Sequence, residues 1–79
     1  MHIEKLVHMA NDIGAFFQAE PDHALAVHGV VDHIRKFWDP RMRRQIIAFS
    51  REGGAGMSEL VKAAVKALDQ QSANVATGG

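Results

Sequence analysis

The string Phe37-Trp38-Asp39-Pro40-Arg41-Met42-Arg43-Arg44 constrains this chain more than any other stretch, because it stops one helix and starts another. Asp39 can accept from the first free N–H groups of a helix. Pro40 suits the first helical position, where its missing N–H costs nothing. Two large aromatics close the element before the break, and Arg41, Arg43 and Arg44 crowd into the turn after it. Rigid punctuation therefore lies against a dense positive patch.

On either side of that break the apolar residues recur at helical spacing, and no period-2 strand pattern occurs. Ile3, Leu6, Val7, Ala10, Ile13 and Phe17 share a stripe, which predicts a first helix over about residues 2–18. Glu20-Pro21-Asp22 breaks it, and Pro21 is expected to open the second helix. Val27, Val30, Val31, Ile34, Phe37 and Trp38 form the face of that helix, with both aromatics assigned to the core. Met42, Ile46 and Phe49 stripe a third helix. Gly53-Gly54-Ala55-Gly56 can end it with residues free to adopt positive φ. Ser58 is placed as the N-cap of a fourth helix whose inner face is Leu60, Val61, Ala64, Val65 and Leu68. The fold class is all-α, a single small bundle of about four helices over residues 1–70. Residues 71–79 are read as a flexible, disordered tail.

A core of 79 residues supplies only about 3–5 kcal/mol, and the chain has no cysteine to add disulfides or thiolate metal sites. Another protein chain is the natural source of extra support. The net charge is zero but unevenly spread. Lys5 stands against Glu4, Asp12, Glu20, Asp22 and Asp32, whereas Arg35, Lys36, Arg41, Arg43, Arg44 and Arg51 stand against Asp39 alone. Such polarity suits a partner with its own charge pattern better than bulk nucleic acid. No apolar run nears the roughly 20 residues that span a bilayer, and Glu4, Lys5 and His8 interrupt any signal-peptide pattern. The expected location is the cytoplasm, with no membrane contact.

Two surfaces invite partners. Met9 and Phe16 on helix one and Ile47 on helix three lie beside the main stripes, so they either widen the core or anchor an interface rimmed by arginine. Arg41, Arg44, Ala48 and Arg51 share one side of helix three, with Arg43 pointing elsewhere. They read either as a solvated face, with Arg35 and Lys36 paired to acids of helix one, or as a site for carboxylate or phosphate. Trp38, Arg41, Arg43, Arg44, Ile47, Met9 and Phe16 are thus the candidate partner-binding residues. Arg41, Arg44, Gly54 and Gly56 are the candidate anion- or nucleotide-binding set.

Other chemistry finds little support. The glycine segment follows no strand and carries no Lys-Ser/Thr pair, so it is not a phosphate loop of known pattern. His23, His28 and His33, spaced by five, diverge around a helix, His2 and His8 fit no better, and His28 with Asp32 reads as a surface pair. No nucleophile has an evident base. The expectation is a chain that binds no metal or cofactor and is not an enzyme by itself.

Three segments carry a resemblance. Met9-Ala10-Asn11-Asp12-Ile13-Gly14-Ala15-Phe16-Phe17, His33-Ile34-Arg35-Lys36-Phe37-Trp38-Asp39-Pro40-Arg41-Met42-Arg43 and Gly53-Gly54-Ala55-Gly56-Met57 resemble the delta subunit of soluble NAD-dependent formate dehydrogenases, over about Leu6 to Ala67. The resemblance implies a cytoplasmic complex that oxidises formate to carbon dioxide and reduces NAD. It implies that other subunits carry the molybdenum or tungsten bis-pterin guanine dinucleotide cofactor, the iron–sulfur clusters and the flavin. This chain would then be an accessory subunit docked on the large subunit, aiding assembly, maturation or stability. Two further readings stay open: a nucleotide- or pyrophosphate-binding chaperone for cofactor insertion, and a small helix-turn-helix DNA-binding protein. Whether the isolated chain self-associates through the same apolar face is left open by the sequence.

Overall fold

The computed structural model describes residues 2–78, with side chains described through Gln71. Four helices follow one another: α1 (Ile3–Phe17), α2 (His23–Phe37), α3 (Pro40–Arg51) and α4 (Glu59–Gly78). The tail expected at 71–79 falls, from residue 72 onward, outside the described side chains. Around the bundle the order is α1, α2, α4, α3, with α1 also touching α4 across the middle. Helices α2 and α3 therefore occupy opposite corners, although only Trp38 and Asp39 join them.

The helix starts come from side chains that accept orphan N–H groups. Asp22 caps α2, accepting from Ala24 and Leu25 at 3.0 and 3.3 Å. Pro21, expected to open that helix, instead precedes its cap, because the Asp22 carboxylate satisfies two donors that a proline cannot. Asp39 caps α3, accepting from Met42 at 2.9 Å, with Pro40 at the first helical position. The proline also confines Asp39 to extended backbone, which is the conformation a cap needs. Ser58 caps α4 by accepting from Val61 at 3.3 Å.

Helix α3 ends in a Schellman arrangement. The Gly53 N–H bonds the Ser50 carbonyl, and the Gly54 N–H reaches back to that of Phe49, both at 3.1 Å. Gly53 takes φ 114°, which a residue with a Cβ resists. A tight turn follows, closed by Met57 donating to Gly54, with Gly56 at φ 84°.

The core is wholly apolar among the described residues, and Leu6, Val30, Ile34, Ile46, Val61 and Val65 are its largest fully buried members. The predicted inner face of α4 is buried throughout. Ile3, Val7, Met9, Ile13, Phe17, Val27, Met42, Ile47 and Phe49 are half-buried and pack against it. Gly14 lets α1 approach α4 closely, since a Cβ there would sit 2.7 Å from Val61 Cγ2.

One aromatic assignment fails. Trp38 is buried at 5% exposure, but Phe37 is 71% exposed. The backbone leaves the helix at Trp38, turning extended at φ −95°, ψ 138°, and this swings the indole inward while Phe37 remains on the last turn facing water.

A long-range clamp sets the glycine turn on α1. The Asn11 amide donates to the Gly56 carbonyl at 2.9 Å, and its oxygen accepts from the Ser58 N–H at 3.0 Å. One side chain thus satisfies a loop carbonyl and a free N–H at the entry to α4. Asn11→Ala should cost about 1–2 kcal/mol, roughly 1 kcal/mol per bond. In a domain of this size that lowers Tm by about 5–15 °C, readable by thermal circular dichroism.

Candidate docking interface on the third helix

The six cations between residues 35 and 51 divide by what holds them. Lys36 pairs with Asp32 one turn back on its own helix at 3.0 Å, and Arg35 donates to the Gln71 side chain of α4 at 3.4 Å. Neither turns to the acids of helix one, because the i, i+4 spacing and the adjoining α4 offer nearer acceptors. Asp32 therefore engages Lys36 rather than His28, and the lysine holds its carboxyl below the usual carboxylate range.

Arg43 is half-buried and spends its guanidinium on the chain itself, donating to the Arg35 carbonyl at 2.9 Å. That carbonyl lies in the last turn of α2, where no intrahelical donor remains. Arg43 thus fastens α3 to the end of α2. Arg51 grips Asp69 of α4 with two N–H groups at 2.9 and 2.6 Å.

This pair makes folding sensitive to acid. The Arg51 hydrogen bonds hold the Asp69 carboxyl below its usual value of 3.8. A depressed carboxylate contributes its stability above the unfolded pKa and loses it as pH falls through the folded one. Asp69→Asn should therefore lower Tm at neutral pH. The gap from the unmodified chain should close below about pH 4 in thermal melts run across pH.

Arg41 and Arg44 remain. Both are exposed, and among the described residues neither has an ion-pair or hydrogen-bond partner. Three residues apart, they share a face at the N-terminal end of α3, where the helix dipole adds to their positive potential. One turn further along, Gln45 and Ala48 line a cleft of about 300 Å³ with Ile3, Phe49 and Glu52. Gln45 Oε1 points into protein without a donor, the one such buried side-chain oxygen among the described residues. The outer face of α3 thus runs from two uncommitted guanidiniums into a shallow, mostly apolar cleft.

The other candidate residues scatter. Trp38 fixes the α2–α3 junction from inside the core, while Met9 and Ile47 are half-buried against it. Phe16 is 77% exposed, on the α1–α2 side of the bundle. Gly54 and Gly56 follow the C-terminal end of α3, about 15–20 Å along the helix from Arg41 at 1.5 Å per residue. The Gly54 N–H is already given to Phe49. The four residues of the anion-binding set do not converge on one small ion. Neither Gln45 nor Asn11 is among the candidate site residues of the sequence, although Asn11 stands in the first of the resembling segments. Gln45 has no signal beyond its register with Arg41, and nothing local in the sequence marks Asn11 as a clamp. Among the described residues no three His, Cys, Asp or Glu side chains come together as a metal site, and no helix is long and apolar enough to cross a membrane.

The described structure is thus a small helical domain with a charged helix face beside a shallow cleft. The chain belongs to the formate dehydrogenase delta-subunit family: the family model described as NADH-dependent formate dehydrogenase delta subunit, FdsD, matches residues 5–65. No curated protein and no solved structure gives a match. The matched span covers all of the junction, the glycine turn and the arginine face.

Proposed function

We propose that this chain is a non-catalytic accessory subunit of a cytoplasmic, NAD-dependent formate dehydrogenase, docking on the large subunit through the outer face of α3. The observation that carries the reading is the division among the arginines. Arg43 and Arg51 serve the fold, and Arg41 and Arg44 are left to an outside acceptor. Guanidinium groups suit planar carboxylates, so the complementary surface on the large subunit carries Asp or Glu opposite them and an apolar residue for the cleft.

In this reading the molybdenum or tungsten cofactor, the iron–sulfur clusters and the flavin reside in partner subunits. This chain contributes assembly, maturation or stability. The test is to co-express the remaining subunits with and without it, then compare the yield, subunit composition and formate-oxidising activity of the purified enzyme. Lower yield or activity without the chain, at unchanged specific activity per loaded cofactor, is the expected result. Identical yield, composition, activity and heat resistance would contradict an accessory role.

A further inference from the structure

Phe16, Leu25 and Phe37 are the large hydrophobic residues exposed among the described side chains, at 77%, 58% and 71%. Leu25 and Phe37 lie on α2, and Phe16 stands beside Phe17, which packs on α2 at Gly29. Leu25, Gly29, His33 and Phe37 follow one another at four-residue steps along α2, which places them on a single ridge. The Phe17 ring lies over Gly29, so that the gap left by the missing side chain is filled from α1. Phe16 meets Phe17 edge to face at 5.0 Å, and the His33 and Phe37 rings are 4.7 Å apart. The result is one continuous apolar strip. At 150–250 Å² per aromatic side chain, its three exposed members leave on the order of 400 Å² in water. A monomer's largest patch is typically about 300–600 Å², and such patches often mark contacts.

We propose that this strip is a two-fold contact between two copies of the chain, with the α2 helices antiparallel. The pattern is its own complement. Reversing the ridge about its midpoint sets Leu25 against Phe37 of the second copy and Gly29, with Phe17 over it, against His33. Each bulky end thereby meets a bulky end, as a contact that uses the same patch twice requires. The charges agree with this direction. Glu20 and Asp22 lie just beyond the Leu25 end, and Arg35, Lys36 and Arg41 lie at and beyond the Phe37 end. Antiparallel pairing brings unlike charges together at both ends, and parallel pairing would stack like on like.

A stable interface takes about 800 Å² from each partner, and the strip alone offers about half of that. The association is therefore a reversible one. The contact does not depend on the docking reading and is measured without other subunits.

Sedimentation equilibrium of the isolated full chain from about 1 μM to 1 mM tests it. The expected result is a monomer–dimer equilibrium whose dissociation constant rises at least tenfold in Phe37→Glu and in Leu25→Glu, and hardly changes in Arg44→Glu. Both replaced side chains are mostly in water, so helicity by circular dichroism should be retained. Glu20→Arg and Arg41→Glu should each weaken the dimer, and the double variant should regain most of the loss. A chain that stays monomeric to 1 mM, a dimer indifferent to Phe37→Glu, or a double variant weaker than either single one would overturn the proposal.

Discussion

Trp38→Ala is expected to leave the chain largely unfolded at room temperature. The indole is 5% exposed and closes the core at the α2–α3 junction. Truncating a buried Trp to Ala costs about 3–5 kcal/mol, through lost transfer energy and the cavity left behind. A domain this small commands about the same total, so the variant has little or nothing in reserve. Trp38→Phe keeps most of the volume and should remain folded at a lower Tm. Urea denaturation followed by far-ultraviolet circular dichroism separates the cases. As the sole tryptophan of the chain, Trp38 also reports its own burial by fluorescence in the unmodified protein. A folded, cooperative Trp38→Ala chain would show that the junction, and not the indole, holds the two helices.

The second large effect concerns docking. Reversing both uncommitted cations, Arg41→Glu with Arg44→Glu, should weaken binding to the large subunit about 100-fold, or about 2.7 kcal/mol. Two lost attractions become two repulsions against the same acidic surface, and like charges across an interface cost several kcal/mol. The fold should tolerate the change, because neither side chain has a partner within the described chain. Titrating the labelled chain onto enzyme purified without it gives the affinity, and a melt of the free variant gives the control. Arg43→Glu is the instructive comparison. It removes the donor to the Arg35 carbonyl, so it should lower Tm as well as affinity. A double variant that binds as well as the unmodified chain would move the interface off α3.

Much of the fold was legible because its signals are local. Asp39 with Pro40, Ser58, and the glycines after α3 each act within a few residues, and each does what its chemistry predicts. The inner face of α4 followed from periodicity alone. The misplacement at Pro21 was also local: a good first-turn residue stood beside a better cap, and the cap decided the start. Phe37 shows where periodicity runs out. Phe37 and Trp38 are neighbours at a helix end, and only the extended backbone at Trp38 decides which ring turns inward.

The site was less legible, for a physical reason. Positive charge is written in the sequence, but whether a guanidinium is spent on the fold depends on acceptors brought near by tertiary structure. Arg43 finds the Arg35 carbonyl and Arg51 finds Asp69, eighteen residues away. Their removal from the candidate face sharpens it to Arg41 and Arg44. The Asn11 clamp spans 45 residues and could not be foreseen from either end.

The central claim is that this chain is a bound subunit of formate dehydrogenase. The most direct test is to purify through a tag on this chain from cells co-expressing the other subunits, and to size what elutes. The account predicts a stoichiometric complex containing the large subunit, retained at moderate salt and lost in the Arg41→Glu, Arg44→Glu variant. Elution of the chain without the large subunit, mature or immature, would contradict it.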